Sequence, residues 1–240
     1  MEFLHSMSVG HGTASPSLAG VFDENPAGVG FFERPSLVIE SSSDSSFSNI
    51  NGGGGFVYAK KGFGAGIEGS LTHSSGSTVN YSSTALSTVF GLHSREMGIG
   101  FGVRCGLGTI GTLSLSCNRM GAIYDNLEGL KLGAEVGLGS SITVSVGAAY
   151  QLSRDALLAF DVIPPISGQS FILSPGFAIL GNHLQLMAGY GLIVSNSQSY
   201  TSSVYSGPKF GIGAKLGLSL SLQAYYNYSN TYSMGMVIRF

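Results

Sequence analysis

The stretch KFGIGAKLGLSLSLQAYYNYSNTYSMGMVIRF, residues 209–240, alternates apolar side chains with small or polar ones almost to its end. Within 209–217, Phe210, Ile212 and Leu216 would face one way, whereas the glycines and Lys215 would face the other. This period of two predicts β-strands, because successive side chains of a strand point to opposite faces. Membrane-spanning strands need about 9–11 residues, whereas strands of soluble proteins average about 5–6. The long alternating segments of this sequence therefore favour a membrane barrel.

The same alternation recurs along most of the chain. We predict fourteen strands, at residues 36–43, 54–61, 62–71, 83–92, 96–105, 109–118, 130–138, 141–152, 156–163, 170–180, 183–194, 208–217, 220–228 and 231–240. An even number of antiparallel strands is usual in bacterial outer-membrane barrels. We therefore predict an all-β fold, with an antiparallel transmembrane β-barrel at 36–240 and a short N-terminal plug, or hatch, at 1–35. A soluble β-sandwich is the alternative fold.

The composition supports a membrane location and excludes some partners. Only 10% of the residues are charged, against about 25% in a typical soluble domain, and the mean hydropathy is +0.29. A net charge of -2 provides no basic field for nucleic acid. Glycine, serine, threonine or a charge interrupts every apolar run before the about 20 residues of a spanning helix. If the chain spans a membrane, it must do so as a closed barrel, in contact with outer-membrane lipid.

The predicted links agree in part with such a barrel, in which turns are short on the periplasmic side and loops are longer outside. With the C-terminus on the periplasmic side, the serine-rich links 43–53, 72–82, 164–169 and 195–207 fall outside. The short links 61–62, 93–95, 153–155, 181–182 and 218–219 fall inside. The long link 119–129 falls on the side of the short turns and breaks the rule, and the outer links 106–108, 139–140 and 229–230 are as short as periplasmic turns.

The chain end carries a second indication of the outer membrane. Gly235, Ile238 and Phe240 resemble the C-terminal β-signal of outer-membrane proteins, whereas Met234 departs from its usual polar residue. An exposed strand edge can pair with an assembly machine by strand addition, so we expect the barrel-assembly machinery as a partner. The alternative is an ordinary last strand.

The N-terminal stretch carries a family resemblance. A glycine-rich start at 8–15 leads to Asn25-Pro26-Ala27-Gly28, and FERP follows at 32–35. This stretch resembles the beginning of the FadL-like long-chain fatty-acid transporter family of outer-membrane porins. The resemblance implies a fourteen-stranded barrel, a hatch that contains the Asn-Pro-Ala motif, and plug-gated passive diffusion of hydrophobic, fatty-acid-like molecules. This chain would be a small member of the family with short loops.

Seven charged residues lie opposite apolar strand faces and are candidates for the lumen. They are Glu68, Arg104, Lys131, Glu135, Asp161, Lys215 and Arg239. Ionisable residues at membrane depth usually face an aqueous or protein interior. We expect them to pair with one another and tether the plug, or else to contact a ligand.

The sequence gives little support for catalysis, and we expect no enzyme activity, cofactor or metal. The histidines are scattered, at positions 5, 11, 73, 93 and 183, and GLGTIG at 106–111 is not followed by the helix of a phosphate-binding motif. If a hairpin turns near Leu107, Cys105 and Cys117 lie about 20–30 Å apart along a strand. We therefore interpret the two cysteines as small apolar side chains without a disulfide.

These observations predict an outer-membrane barrel that transports hydrophobic small molecules. Residues 1–6 show neither the basic nor the apolar region of a signal peptide, so we expect a leader outside this sequence. The alternative function is a non-transporting barrel, an adhesin or a structural protein of the envelope, whose serine-rich loops would carry binding.

Overall fold

A computed structural model describes residues 12–14, 16, 25–75, 80–107, 115–139, 142–166, 171–194, 207–217, 219–227 and 230–240. The strands are β1 Ser36–Asp44, β2 Asn49–Lys60, β3 Phe63–Ser75, β4 Asn80–Ser94, β5 Ile99–Leu107, β6 Leu115–Leu127, β7 Leu130–Leu138, β8 Ile142–Ser153, β9 Ala156–Ile163, β10 Phe171–Leu180, β11 Leu184–Val194, β12 Gly207–Leu216, β13 Leu220–Asn227 and β14 Thr231–Arg239. A short 3-10 helix, Pro26–Phe31, precedes them. In this part of the chain, no helix has the length and hydropathy to cross a membrane.

The fourteen strands form one closed barrel in which every neighbour pair is antiparallel. The barrel closes where β1 pairs with β14, from Ser36 opposite Arg239 to Asp44 opposite Thr231. The prediction of a closed, fourteen-stranded antiparallel barrel is confirmed.

The two ends of the barrel differ. The end at which β1 begins and β14 ends has links of two to four residues, at 61–62, 95–98, 128–129, 154–155, 181–183 and 217–219. We call it the short-turn end. The links of the other end, which we call the long-loop end, run from three to twelve residues. In outer-membrane barrels the short turns face the periplasm.

The sixth strand differs from the prediction. We expected a strand at 109–118 and a long link at 119–129, whereas β6 occupies Leu115–Leu127 and pairs with β7 down to Leu127 opposite Leu130. Asn118, Arg119 and Gly121 are polar or small, whereas Met120 is apolar and 47% exposed on the outward face. Ile123 is buried on the inner face, and Arg119 and Gly121 share that face, where such residues belong. With β6 so placed, the long link at the short-turn end disappears.

The serine-rich links 43–53 and 72–82 are also mostly strand. β2 begins at Asn49, β3 extends to Ser75 and β4 begins at Asn80. Ser, Asn and Gly have low strand propensity, but pairing with a neighbouring strand overrides that preference. Asn49 pairs with Ser74 in this extension of the sheet.

The prediction for the cysteines is wrong, because Cys105 and Cys117 form a disulfide. The β5–β6 hairpin does not turn near Leu107, since β6 begins only at Leu115. This longer link places Cys105 directly opposite Cys117, next to an irregularity of the ladder between Arg104 and Cys105. Directly opposed residues on antiparallel strands are close enough for such a bond.

The wall has two chemically different faces. The outward face presents large apolar side chains, such as Phe56 (43% exposed), Phe101 (59%) and Ile212 (50%). The inward face carries small, polar and charged side chains, of which Ser174 and Gln185 are buried. Such an outer face would be unfavourable in water but matches lipid tails, as in a membrane-spanning barrel.

Candidate lumen site

The N-terminal part of the described chain contains a fully buried segment. We call Asn25–Phe32 the buried segment; its centre is the 3-10 helix Pro26–Phe31. The Asn25 side chain caps this helix by accepting a hydrogen bond from the Ala27 N–H at 3.0 Å. Pro26 suits the first helical position, because its φ is fixed and it has no N–H to satisfy. The sequence NPAG therefore forms a rigid turn.

The buried segment packs against the inner faces of β3, β4, β5 and β6. Its Val29 and Phe31 belong to one apolar cluster with Val57, Val89 and Ile123 of the wall. The glycines of the wall make this approach possible. A Cβ atom at Gly64 would overlap Val29, one at Gly102 would overlap Pro26, and one at Gly121 would overlap the Asn25 side chain. The inner glycines thus leave space for the backbone of the segment.

Asn25 also ties the segment to the wall. Its amide nitrogen lies 2.8 Å from the Thr13 carbonyl oxygen, 3.2 Å from that of Ala122 and 3.3 Å from that of Ala134. The Thr13 hydroxyl in turn is hydrogen bonded to the Ser145 hydroxyl of β8. Asn25 is fully buried, so these contacts satisfy an amide that would otherwise be costly to bury.

A second set of contacts lies at the short-turn end. The Phe31 ring stacks on the His93 ring of β4, with centroids 3.8 Å apart. The His93 Nε2 atom lies 3.5 Å from an Asp125 carboxylate oxygen of β6. Glu33 and Arg95 form an exposed ion pair nearby, at 2.9 Å. The sequence prediction placed His93 in a link and gave it no role, although it is close to the end of an alternating strand.

Two ion pairs bridge the inner wall nearer the long-loop end. Arg104 of β5 lies 3.4 Å from Glu68 of β3, which also accepts a hydrogen bond from the Ser87 hydroxyl at 3.0 Å. Arg119 of β6 lies 3.1 Å from Glu135 of β7. The sequence prediction missed Arg119 because it assigned that residue to a link.

The remaining charged candidates occupy other parts of the inner face. Asp161 is buried on β9, with its carboxylate beside Gly147 of β8. Lys131 and Lys215 line a cavity at the short-turn end. Arg239 lies at the end of β14, opposite Ser36 of β1. The structure thus brings together two of the predicted residues, Glu68 and Arg104, as a direct pair.

The residues of the predicted assembly signal lie in and after β14. Gly235 is opposite Glu40 of β1 and Gln223 of β13, and Ile238 is opposite Leu37 and Leu220. Phe240 is 68% exposed at the short-turn end. Both edges of β14 are paired in the closed barrel, so any recognition of this strand by an assembly machine must precede closure.

Among the cavities lined by described residues, two lie inside the barrel. The long-loop chamber has a volume of about 390 Å³, and its lining residues are Glu40, Ser41, Ser42, Asn51, Gly52, Gly53, Glu68, Ser70, Thr72, Gln223, Tyr225, Ser233 and Met234. The short-turn vestibule has about 890 Å³, and Phe31, His93, Asp125, Lys131 and Lys215 are among its lining residues. Along β3, the buried segment contacts Gly64, whereas the long-loop chamber begins at Glu68. The segment therefore lies between the two cavities.

A third cavity lies on the outward face. This apolar groove has about 710 Å³ and crosses β12, β13, β14, β1 and β2 near the long-loop end. Its large apolar lining residues are Phe47, Ile50, Phe210, Ile212, Tyr226, Tyr232 and Met234. Ser41 and Ala224 also line it, and their small side chains leave the depression between the larger ones.

Solved structures with a similar fold are outer-membrane barrels. The P. putida toluene transporter TodX aligns over 100% of this chain and 99% of its own, at 11% identity and a TM-score of 0.61. A deltaS2 mutant of the TodX monoaromatic hydrocarbon channel aligns over 97% and 95%, at 11% identity and 0.64. The KdgM porin aligns over 85% and 99%, at 10% identity and 0.51. The chain has the fold of outer-membrane channels.

Sequence comparison adds nothing to this likeness, since neither a protein-family model nor a curated protein matches the chain. At identities this low, the similar structures show the fold and not the cargo. They are channels and porins, not enzymes.

Proposed function

We propose that this chain is an outer-membrane barrel through which small molecules pass by passive diffusion, with residues 1–35 as its plug and 36–240 as the conducting wall. The observation that carries the proposal is the position of the buried segment between the long-loop chamber and the short-turn vestibule. A segment in that position obstructs a path along the barrel axis. Its contacts hold it there: the Asn25 amide near three carbonyl oxygens and the Phe31–His93 stack.

We propose hydrophobic, fatty-acid-like molecules as the cargo. The resemblance of Asn25–Gly28 to the hatch motif of the fatty-acid transporter family supports this assignment. Two proteins of similar structure are a toluene transporter and a monoaromatic hydrocarbon channel, which further supports an apolar cargo. The apolar groove on the outward face offers such molecules a binding surface beside the lipid, at the long-loop end.

A reversible lock tests the plug without removing it. Thr13 and Ser145 are hydrogen bonded through their hydroxyls, so the double variant T13C/S145C places two thiols within reach of a disulfide. We expect oxidised T13C/S145C in liposomes to pass octanoate or toluene more slowly than the wild type, and reduction to restore the rate. The single variants T13C and S145C control for reduction of the native Cys105–Cys117 bond.

The outcomes separate the parts of the proposal. Equal flux through locked and unlocked barrels would disprove gating by the plug. If a folded barrel passes neither these apolar probes nor small polar solutes in either state, the non-transporting alternative replaces the proposed function.

A further inference from the structure

The long-loop chamber is polar, in contrast to the apolar groove on the outward face. Hydroxyl, amide and carboxylate side chains dominate its described lining, and Met234, its one large aliphatic residue, is 63% exposed on the outward face. Small-molecule sites typically enclose about 300–1,000 Å³ and are mostly apolar, so the 390 Å³ of this chamber is of suitable size but of unusual chemistry.

Gln223 provides the most specific feature of the chamber. It is 93% buried on the inner face of β13, and its side-chain oxygen Oε1 has no hydrogen-bond partner among the residues that the structure describes. The ladder explains why, since Gln223 is opposite Gly213 of β12 on one side and Gly235 of β14 on the other. Neither glycine has a side chain that could reach it. A buried amide oxygen without a donor is costly, so this atom is suited to a donor from outside the chain.

Gly235, the neighbour of Gln223 on β14, leaves a gap beside Gln223 because it has no side chain. Gly235 is also opposite Glu40 of β1, and Glu40 is opposite Gly53 of β2. Glu40 and Gln223 therefore stand on either side of a bare backbone position. Strands lie about 4.7–4.9 Å apart, so the two positions are separated by about 10 Å. A gap of this width between two acceptor-bearing side chains admits a small ring.

The charges of the chamber define the ligand further. Glu40 opposes an anion, the charge of Glu68 is paired with Arg104, and no described lining residue is cationic. Glu68 already has Arg104 and Ser87 as partners. The hydroxyls of Ser42, Ser70, Thr72 and Ser233 both donate and accept, and an ammonium ion, which accepts nothing, would leave those donors unmatched. A ligand with several hydroxyl groups satisfies both requirements.

We propose that the long-loop chamber is a binding subsite for a small, uncharged, polyhydroxylated solute, one of whose hydroxyl groups donates to Oε1 of Gln223. This inference goes beyond the proposed function, because it assigns the lumen a ligand class of its own whether or not apolar molecules use the outer groove.

The test measures binding rather than flux, so that it stands apart from the transport proposal. Glucose, glucosamine and glucuronate share one ring and differ in charge, and each is titrated into the detergent-solubilised full-length protein by ligand-observed NMR. We expect glucose to bind with millimolar affinity and glucuronate at least about tenfold more weakly, because its carboxylate meets Glu40 and no cation among the described lining residues. The Q223L variant should weaken glucose binding about tenfold, since it removes the acceptor.

A matched control makes the result specific. Q151L carries the same exchange at the short-turn vestibule, remote from the chamber, and should bind glucose like the wild type. Heat-modifiable migration in gels verifies that each variant is folded. The proposal is overturned if glucose fails to bind, if glucuronate binds equally well, if glucosamine binds tenfold more tightly than glucose, or if Q223L and Q151L behave alike.

Discussion

Phe31 of the buried segment lies on the face of the His93 imidazole of β4, and Asp125 of β6, two strands along the wall, contacts the same histidine. This contact is the link between the segment and the short-turn end. Because Phe31 is buried and its ring has a partner in the wall, it acts as an anchor for the last turn of the 3-10 helix.

Replacing Phe31 by alanine should release this anchor. Truncation of a buried phenylalanine costs about 3–5 kcal/mol, and here most of that cost should fall on docking of the segment rather than on the barrel. We expect faster amide hydrogen exchange at 26–32 in F31A with little change in the strands. F47A, which truncates a residue 67% exposed at the long-loop end, is the control. Unchanged exchange at 26–32 would show that the stack contributes little.

Asn25 has two roles that can be separated by substitution. N25A removes both the cap of the 3-10 helix and the amide donor, whereas N25D keeps an oxygen for the Ala27 N–H but loses the donor. We expect each variant to lose about 1–3 kcal/mol of docking free energy. N25D should lose at least as much, because its carboxylate faces carbonyl oxygens. Protease sensitivity of the N-terminal stretch measures the loss, and a wild-type pattern for N25D would exclude the tethering role.

The wall glycines give a steric test. In G64A the added methyl group would overlap Val29, so the segment or β3 must move, at a cost of about 1–3 kcal/mol. In G52A the added methyl group has no heavy atom within 4 Å. We expect G64A alone to lower the temperature at which the folded form is lost in semi-native gels. A similar decrease in both variants would point to a general effect of replacing glycine in a strand.

The disulfide gives a further prediction. It closes a short loop in the β5–β6 hairpin, and a bond over a loop of this size contributes about 2–3 kcal/mol in the chain-entropy description. The C105S/C117S variant and the reduced wild type should therefore unfold at the same, lower urea concentration than the oxidised wild type. The prediction fails if the oxidised and reduced wild types have the same urea midpoint.

The barrel itself could be predicted from the sequence because its two faces have different solvents. Phe210 and Ile212 face lipid, whereas Gly211 and Gly213 face the interior. Apolar and small or polar side chains therefore alternate at every second residue of the strand. Local chemistry was therefore sufficient to predict fourteen strands and their antiparallel order.

The errors arose where distant contacts decide the local structure. The sequence prediction assigned Arg119 to a link, but Glu135 of the next strand provides its partner inside the barrel. The Cys105–Cys117 bond depends on the length of the link between β5 and β6. The residue types alone predicted a shorter link that turned near Leu107. The unpartnered oxygen of Gln223 depends on two glycines that lie next to it only after strand pairing. Such features follow from the pairing register of neighbouring strands. A short stretch of sequence does not determine that register.

The pairing of β1 with β14 also constrains the order of folding. The seam joins Ser36 to Arg239, so almost the whole barrel must be built before it can form. Contacts between such distant residues are slow to form, because the entropy of loop closure is lost first. The buried segment immediately precedes β1 and lies against the inner faces of β3–β6. The chain thus couples the segment directly to the seam, because only residues 33–35 separate Phe32 from the first residue of β1.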